Sequence, residues 1–279
     1  MDDCITSPTE MRGPKIVYGT AWKKAETERL VATAIRQGFR GIDTACQPKH
    51  YNEAGVGAGV VACLNAGLTR GDLFLQTKFT PLSSQDPKQI PYDPNAPLSE
   101  QVAQSFAASL RNLQTDYLDS LLLHSPLANA NQTMKVWQAM ESLVDVGGVR
   151  QLGISNCYGL DQLKTLYNCA RIKPAVVQNR FYAESAYDHE IRAFCRKQRI
   201  AYQSFWTLTA NAHVLVHDTI TRLASIYGRT PAQILFRYLT QTDVVPLTGT
   251  RSEAHMREDL GIFEFKLTDR ERDALDAIF

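Results

Sequence analysis

Eight times along this chain a short, β-rich apolar run gives way to a segment of helical pattern. The runs are KIVYG (15–19), FRGID (39–43), LFLQTKF (73–79), YLDSLLLH (117–124), VRQLGIS (149–155), PAVVQNR (174–180), IAYQSFW (200–206) and VVPLT (244–248). Several are almost continuously apolar, as parallel strands covered on both faces are. Between them, ERLVATAIRQG (28–38) puts Leu30, Val31, Ala34 and Ile35 on one helical face and stops at Gly38, a residue suited to closing a helix. VWQAMESLVDVGG (136–148) places Trp137, Met140, Glu141 and Val144 at helical spacing, and GLDQLKTLY repeats leucine as Leu160, Leu163 and Leu166. Thr230 before Pro231 predicts a capped helix start, and Thr268 with Glu271 predicts a capping box. No linker, low-complexity tract or composition shift divides the 279 residues. The expectation is one α/β domain over 1–279, a (β/α)8 TIM barrel of eight parallel strands with outer helices. Residues 1–14 read as an N-terminal extension. The rival is an open doubly wound sheet, but no GxGxxG turn follows the first strand.

Composition bears on what such a barrel meets. A net charge of +1 creates no field toward nucleic acid or an anionic membrane, and the basic run EIRAFCRKQR (190–199) reads as a solvated helix face. The opening MDDCITSPTE has no apolar core of a secretory signal, and no run of about 18 apolar residues occurs. Cys4, Cys46, Cys63, Cys157, Cys169 and Cys195 are scattered without a CxxC pair and read as reduced thiols. These features predict a cytoplasmic protein that handles a small molecule, with no nucleic acid, membrane or obligate protein partner. His213 and His217 in HVLVH lack the glutamate of HExxH and a third ligand, so no metal site is expected.

In barrels of this kind chemistry gathers at the C-terminal ends of the strands. Asp43, Lys78, His124, Ser155 with Asn156, Gln178, and Phe205 with Trp206 fall there. Taken singly, Asp43 could cap a helix, Lys78 could reach solvent, and His124 could be a satisfied core histidine. Their joint appearance on successive strands points to one mouth lined by chemistry.

From about Gly19 to its end the chain resembles the aldo-keto reductases. The likeness rests on GTAW (19–22), GFRGIDTA (38–45), YNE (51–53), QTKF (76–79), DYLDSLLLHSP (116–126), GVRQLGISN (148–156), VVQNRF (176–181) and GTRSEAHMRED (249–259), in order. The loops are similar to those of fungal members, some of which serve specialised metabolism. The resemblance implies NADPH-dependent reduction of an aldehyde or ketone, with Asp43, Tyr51, Lys78 and His124 matching the family's catalytic tetrad. Chemistry fits those roles. Hydride delivery to a carbonyl carbon makes an alkoxide that must receive a proton. A phenol is a poor acid at a pKa of about 10. The expectation is that Asp43 anchors Lys78, Lys78 lowers the pKa of Tyr51, Tyr51 donates the proton and His124 orients the carbonyl. Tyr51 stands farther from Asp43 than in the family, and His50 beside it is an alternative donor.

By the same likeness Gly19 and Thr20 lie near the nicotinamide ribose, with Asp43 also among the cofactor-binding residues. Ser155, Asn156 and Gln178 hold the carboxamide, and Phe205 stacks on the nicotinamide ring. Thr250, Arg251 and His255 occupy the loop and first helical turn after strand eight. An arginine at a helix N-terminus suits a 2′-phosphate, favouring NADPH over NADH. Asp259 replaces the asparagine usual after Glu258, which puts the adenine contact in question. The segment 80–99, with five prolines, is an enlarged loop after strand three. The chain ends soon after its last helix, without the C-terminal loop of many relatives. An open pocket lined by Trp22, Phe79, Tyr92 and Trp206 is therefore expected, suited to a bulky apolar carbonyl compound. Two other functions stay open: a Schiff-base lyase using Lys78, and a cofactor-binding protein with little turnover.

Overall fold

The computed structural model describes residues 13–279; Cys4 and most of the expected N-terminal extension fall outside the described residues. Eight parallel strands close into a barrel in chain order, β8 returning to pair with β1. They are β1 (Val17–Gly19), β2 (Gly41–Asp43), β3 (Phe74–Phe79), β4 (Ser120–Leu123), β5 (Leu152–Ser155), β6 (Val176–Arg180), β7 (Ala201–Phe205) and β8 (Val244–Thr248). Each lies within an apolar run read from the sequence. Most runs start ahead of their strands; before β4 and β5, for instance, Leu118 meets Val149 only in an isolated bridge.

Helices α1 (Thr27–Gln37), α2 (Glu53–Leu64), α3 (Leu98–Leu113), α4 (Ala130–Asp145), α5 (Leu160–Cys169) and α6 (His189–Gln198) follow the first six strands. Three helices, α7 (Ala212–Leu215), α8 (Asp218–Tyr227) and α9 (Pro231–Gln241), connect β7 to β8, and α10 (Glu253–Leu260) and α11 (Asp269–Asp276) finish the chain. Their ends follow local chemistry. Gly38 closes α1 at φ 120°, and Thr230 with Gln233 and Thr268 with Glu271 form capping boxes on α9 and α11.

Strand alternation sorts the side chains. Outward residues such as Tyr18, Leu75, Phe79, Leu121 and Ile154 join one large core against the helices, with Trp137 and Met140 of α4. A separate, smaller apolar cluster holds Val17, Val245 and Leu247. Above it the interior turns polar: Asp43, Gln76, Lys78, Gln178 and Gln203 are all buried. The barrel thus ends in a charged, hydrogen-bonded layer at its C-terminal mouth. The five described cysteines are free thiols, with Cys169 exposed and the others buried.

Candidate active site

Asp43 ends β2, where the apolar run carries a carboxylate into the barrel. Its partner is Lys78, two residues above Gln76 on the same face of β3. The Lys78 Nζ donates to Asp43 Oδ1 at 2.7 Å, to Oδ2 at 2.6 Å and to the Thr44 carbonyl at 2.8 Å. Both side chains are at most 4% exposed. Burying either charge alone would cost several kcal/mol, so removing one partner leaves the other stranded. Burial pulls the Lys78 ammonium pKa down, and Asp43 pulls it back up.

Tyr51 comes from the β2–α2 loop. Its ring is partly exposed and lies 5.4 Å, centroid to Nζ, from Lys78 and 6.0 Å from the His124 ring. The displaced tyrosine therefore does return to the ammonium. The loop reaches the mouth because a turn folds it back, His50 and Tyr51 both donating backbone N–H to the Gln47 carbonyl. One expectation fails here. Burial and the nearby Asp43 carboxylate raise the Tyr51 pKa, where Lys78 was expected to lower it. The ammonium already gives all three protons to Asp43 and Thr44, and the carboxylate stands close enough to oppose ionisation of the phenol.

His124, just past β4, is held by Thr80: Oγ1 and Nδ1 are 2.7 Å apart. Burial and the Lys78 charge depress its pKa well below the ordinary value, so the ring is neutral near pH 7. When the Thr80 hydroxyl donates to Nδ1, the ring carries its proton on Nε2, free to face a ligand. His50 is also depressed, chiefly by burial, and its ring lies 4.0 Å from that of Trp22.

These groups surround the floor of a cavity of about 1030 Å³. Asp43, Tyr51, His124, Gly19, Ser155, Asn156, Gln178 and Phe205 line its deep part. Thr250, His255, Glu258 and Asp259 line its far end, and Trp22 and Trp206, each about half exposed, stand on the rim. Both tryptophans take positive φ (63° and 58°), uncommon for side chains of that size, as does Asn156 (53°), a residue type that tolerates it. The guanidinium of Arg180 covers the Trp206 ring at 4.2 Å. Asn156 Nδ2 donates to the His124 carbonyl at 2.8 Å, and Ser155 Oγ donates to the Gln178 carbonyl at 2.7 Å.

Other expected residues lie elsewhere. Thr20 is fully buried beneath the mouth, its hydroxyl on the Asp43 carbonyl at 2.9 Å. Arg251 sits outside the cavity, paired with Glu26 and donating to the Trp22 carbonyl at 2.8 Å. Phe79 and Tyr92 do not line the pocket. Because Lys78 points into the barrel, its neighbour Phe79 must point out to the helices, and Tyr92 packs on it at 5.6 Å. The Tyr92 hydroxyl donates to the Thr80 carbonyl, so this aromatic pair anchors the enlarged loop from beneath. What the loop brings to the rim is Ser84, whose carbonyl accepts from Gln47 Nε2 at 2.7 Å. Gln85 Nε2 donates to the Cys46 carbonyl, tying the two enlarged loops together.

Sequence reading passed over Gln76, Gln203 and Lys23. The glutamines carried a usable signal: each is a polar residue inside an apolar run, at an inward position. Lys23 is buried, its pKa pulled down to about 8 by desolvation, and its amine donates to the Gly249 carbonyl. That contact fastens the β1–α1 loop to the β8–α10 loop.

The chain is similar to known proteins in sequence and in fold. The model of the Aldo/keto reductase family matches residues 15–279. The chain is 31% identical over 253 residues to a glyoxal reductase of Bacillus subtilis, covering 91% of this chain and 83% of that protein. It is 30% identical over 266 residues to a morphine 6-dehydrogenase of Pseudomonas putida, with 91% and 83% covered. An aldo/keto reductase structure from Brucella melitensis superposes with a TM-score of 0.79 at 27% identity, covering 95% of both chains. With its mouth-facing Asp43–Lys78 pair in a barrel of this topology, the chain belongs to the aldo/keto reductase family.

Proposed function

We propose that this protein reduces an aldehyde or ketone with NADPH, Tyr51 serving as the proton donor. The observation that carries this reading is the buried Asp43–Lys78 pair lying directly below Tyr51 and His124, at the floor of one large cavity. A bound nicotinamide cofactor supplies the hydride. The deep residues suit its carboxamide end, since Gln178 and Asn156 line the cavity with side-chain oxygens facing no strong internal donor. The Nε2 of neutral His124 orients the carbonyl oxygen. As that oxygen becomes an alkoxide, Tyr51 transfers its phenolic proton to it. An alkoxide is more basic than a phenolate, so the transfer runs downhill even from a phenol of raised pKa. The Lys78 ammonium, 5.4 Å from the ring, offsets part of the charge of the phenolate left behind, less than an unpaired amine would because Asp43 stands beside it.

Two rivals fare less well on the same observations. A Schiff-base lyase needs a free amine facing the substrate. Lys78 instead gives every N–H to Asp43 and Thr44 and lies below the cavity wall. A binding protein without turnover has no use for a buried ion pair under a phenol. NADPH over NADH rests on Arg251 beside the far end of the cavity. A bulky apolar substrate fits the open rim of Trp22 and Trp206, and a cytoplasmic setting accords with described helices that are too short or polar to cross a membrane.

Tyr51→Phe should lower kcat at least a hundredfold, measured as NADPH oxidation across a panel of aldehydes and ketones. Cofactor affinity, followed by fluorescence titration, should stay within about twofold. Full activity in that variant removes Tyr51 from the mechanism, and no turnover by the unaltered protein on any carbonyl compound favours the binding protein.

A further inference from the structure

Gln178 is not free to choose which end of its amide it shows the cavity. Its register partners place it: Gln178 stands beside Gln203 on β7, as Asp43 stands beside Gln76 on β3. The four side chains meet inside the barrel and are all at most 3% exposed. Gln76 Nε2 donates both protons, to Asp43 Oδ1 at 2.8 Å and to Gln203 Oε1 at 2.7 Å. Gln178 Nε2 does the same, to Asp43 Oδ1 at 3.0 Å and to Gln203 Oε1 at 2.9 Å. Gln203 Nε2 returns one proton to Gln76 Oε1 at 3.3 Å. Turning any one amide over would set donor against donor or acceptor against acceptor among buried side chains, so the three orientations lock together.

The donor side of Gln178 is therefore fully used. Its Oε1 accepts nothing from the described residues, and Gln178 lines the cavity. The geometry points to Gln76 and Gln203 as positioning residues that hold Gln178 with its carbonyl oxygen toward the ligand, so that the site selects a ring substituent carrying N–H donors. The inference rests on the proposed nicotinamide-binding reading and deepens it. A primary carboxamide has the N–H that Oε1 requires; an acetyl group of equal size does not.

The test compares NADP+ with its 3-acetylpyridine analogue, in which methyl replaces the amide nitrogen, by fluorescence titration of the purified protein. The unaltered protein should bind NADP+ about tenfold or more tightly over the analogue, the loss expected when a buried acceptor goes unpaired. In Gln203→Met that ratio should fall severalfold, because Gln178 Nε2 then keeps only its bond to Asp43 Oδ1 and its Oε1 is held toward the ligand less firmly. Gln76→Met should lower it less, by freeing Gln203 to turn its own amide away. A general loss of packing would weaken both ligands alike and leave the ratio unchanged. An unchanged ratio in folded variants, or equal binding of both ligands by the unaltered protein, overturns the inference while leaving the cofactor reading intact. The second outcome needs no variant to fold. Failure to bind either dinucleotide overturns both.

Discussion

Arg251 shows how a side chain of the expected type can stand in an unexpected partnership. Its guanidinium is already paired with Glu26 and with the Trp22 carbonyl, both from the β1–α1 loop. A 2′-phosphate bound as proposed would have to share Arg251 with that carboxylate. Exposed pairs of this kind are worth about 1 kcal/mol or less, so phosphate can compete. Replacing Glu26→Gln should strengthen NADPH binding several-fold and leave NADH within about twofold, whereas Arg251→Ala should weaken NADPH alone. Equal effects on the two dinucleotides would detach Arg251 from the phosphate. Residue type and position were enough to pick out Asp43, Lys78 and His124, which the fold brings together, whereas Arg251 lies outside the cavity. They were not enough for Phe79, which as the neighbour of the inward Lys78 lies on the opposite face of the strand, or for Tyr92, which packs on Phe79.

Among the elements, α2 was the least legible. Its sequence EAGVGAGVVACL holds three glycines, each costing about 1 kcal/mol against alanine in a helix, and shows no polar face. The structure supplies the reason. A Cβ on Gly57 would sit 2.2 Å from the Asn112 carbonyl oxygen at the end of α3, and one on Gly59 would sit 2.7 Å from the Glu28 carbonyl of α1. The helix is pressed between both neighbours, and glycine permits the contact. Gly57→Ala, which would stabilise a free helix, should instead destabilise the protein by about 2 kcal/mol and lower Tm by several degrees. An unchanged or raised Tm would mean that α2 and α3 can separate at little cost. Helices α1, α4, α9 and α11 were readable because spacing and caps are local signals, whereas the glycines of α2 answer to other segments.

For the molecule as a whole, the far end of the cavity holds a charge that folding disfavours. Asp259 is buried against Thr248, whose hydroxyl donates to Oδ2 at 2.7 Å. Burial pushes its pKa from the usual 3.8 up to about 6. The folded protein then binds the proton more tightly than the unfolded chain does. Its contribution to stability is intact below about pH 4 and is lost as pH rises through 6. That loss is at most about 3 kcal/mol. Asp259→Asn, which keeps an acceptor for Thr248, should raise stability at pH 7.5 by about 1–3 kcal/mol and leave it unchanged near pH 4, measured by urea denaturation. A gain equal at both values would show that folding does not raise the Asp259 pKa. The same variant restores the residue usual in the family at this position, so tighter cofactor binding should accompany it.

The sequence by itself determined the eight strands, the capped helices and the identity of the paired acid and amine, because alternation, turn chemistry and strand ends are written locally. Tertiary structure alone decided which side chains share a space. It brought Gln76, Gln178 and Gln203 together from three strands, set Glu26 against Arg251, and raised rather than lowered the Tyr51 pKa. Each of these depends on distance across the closed barrel and on the exclusion of water from it, quantities that no single segment contains.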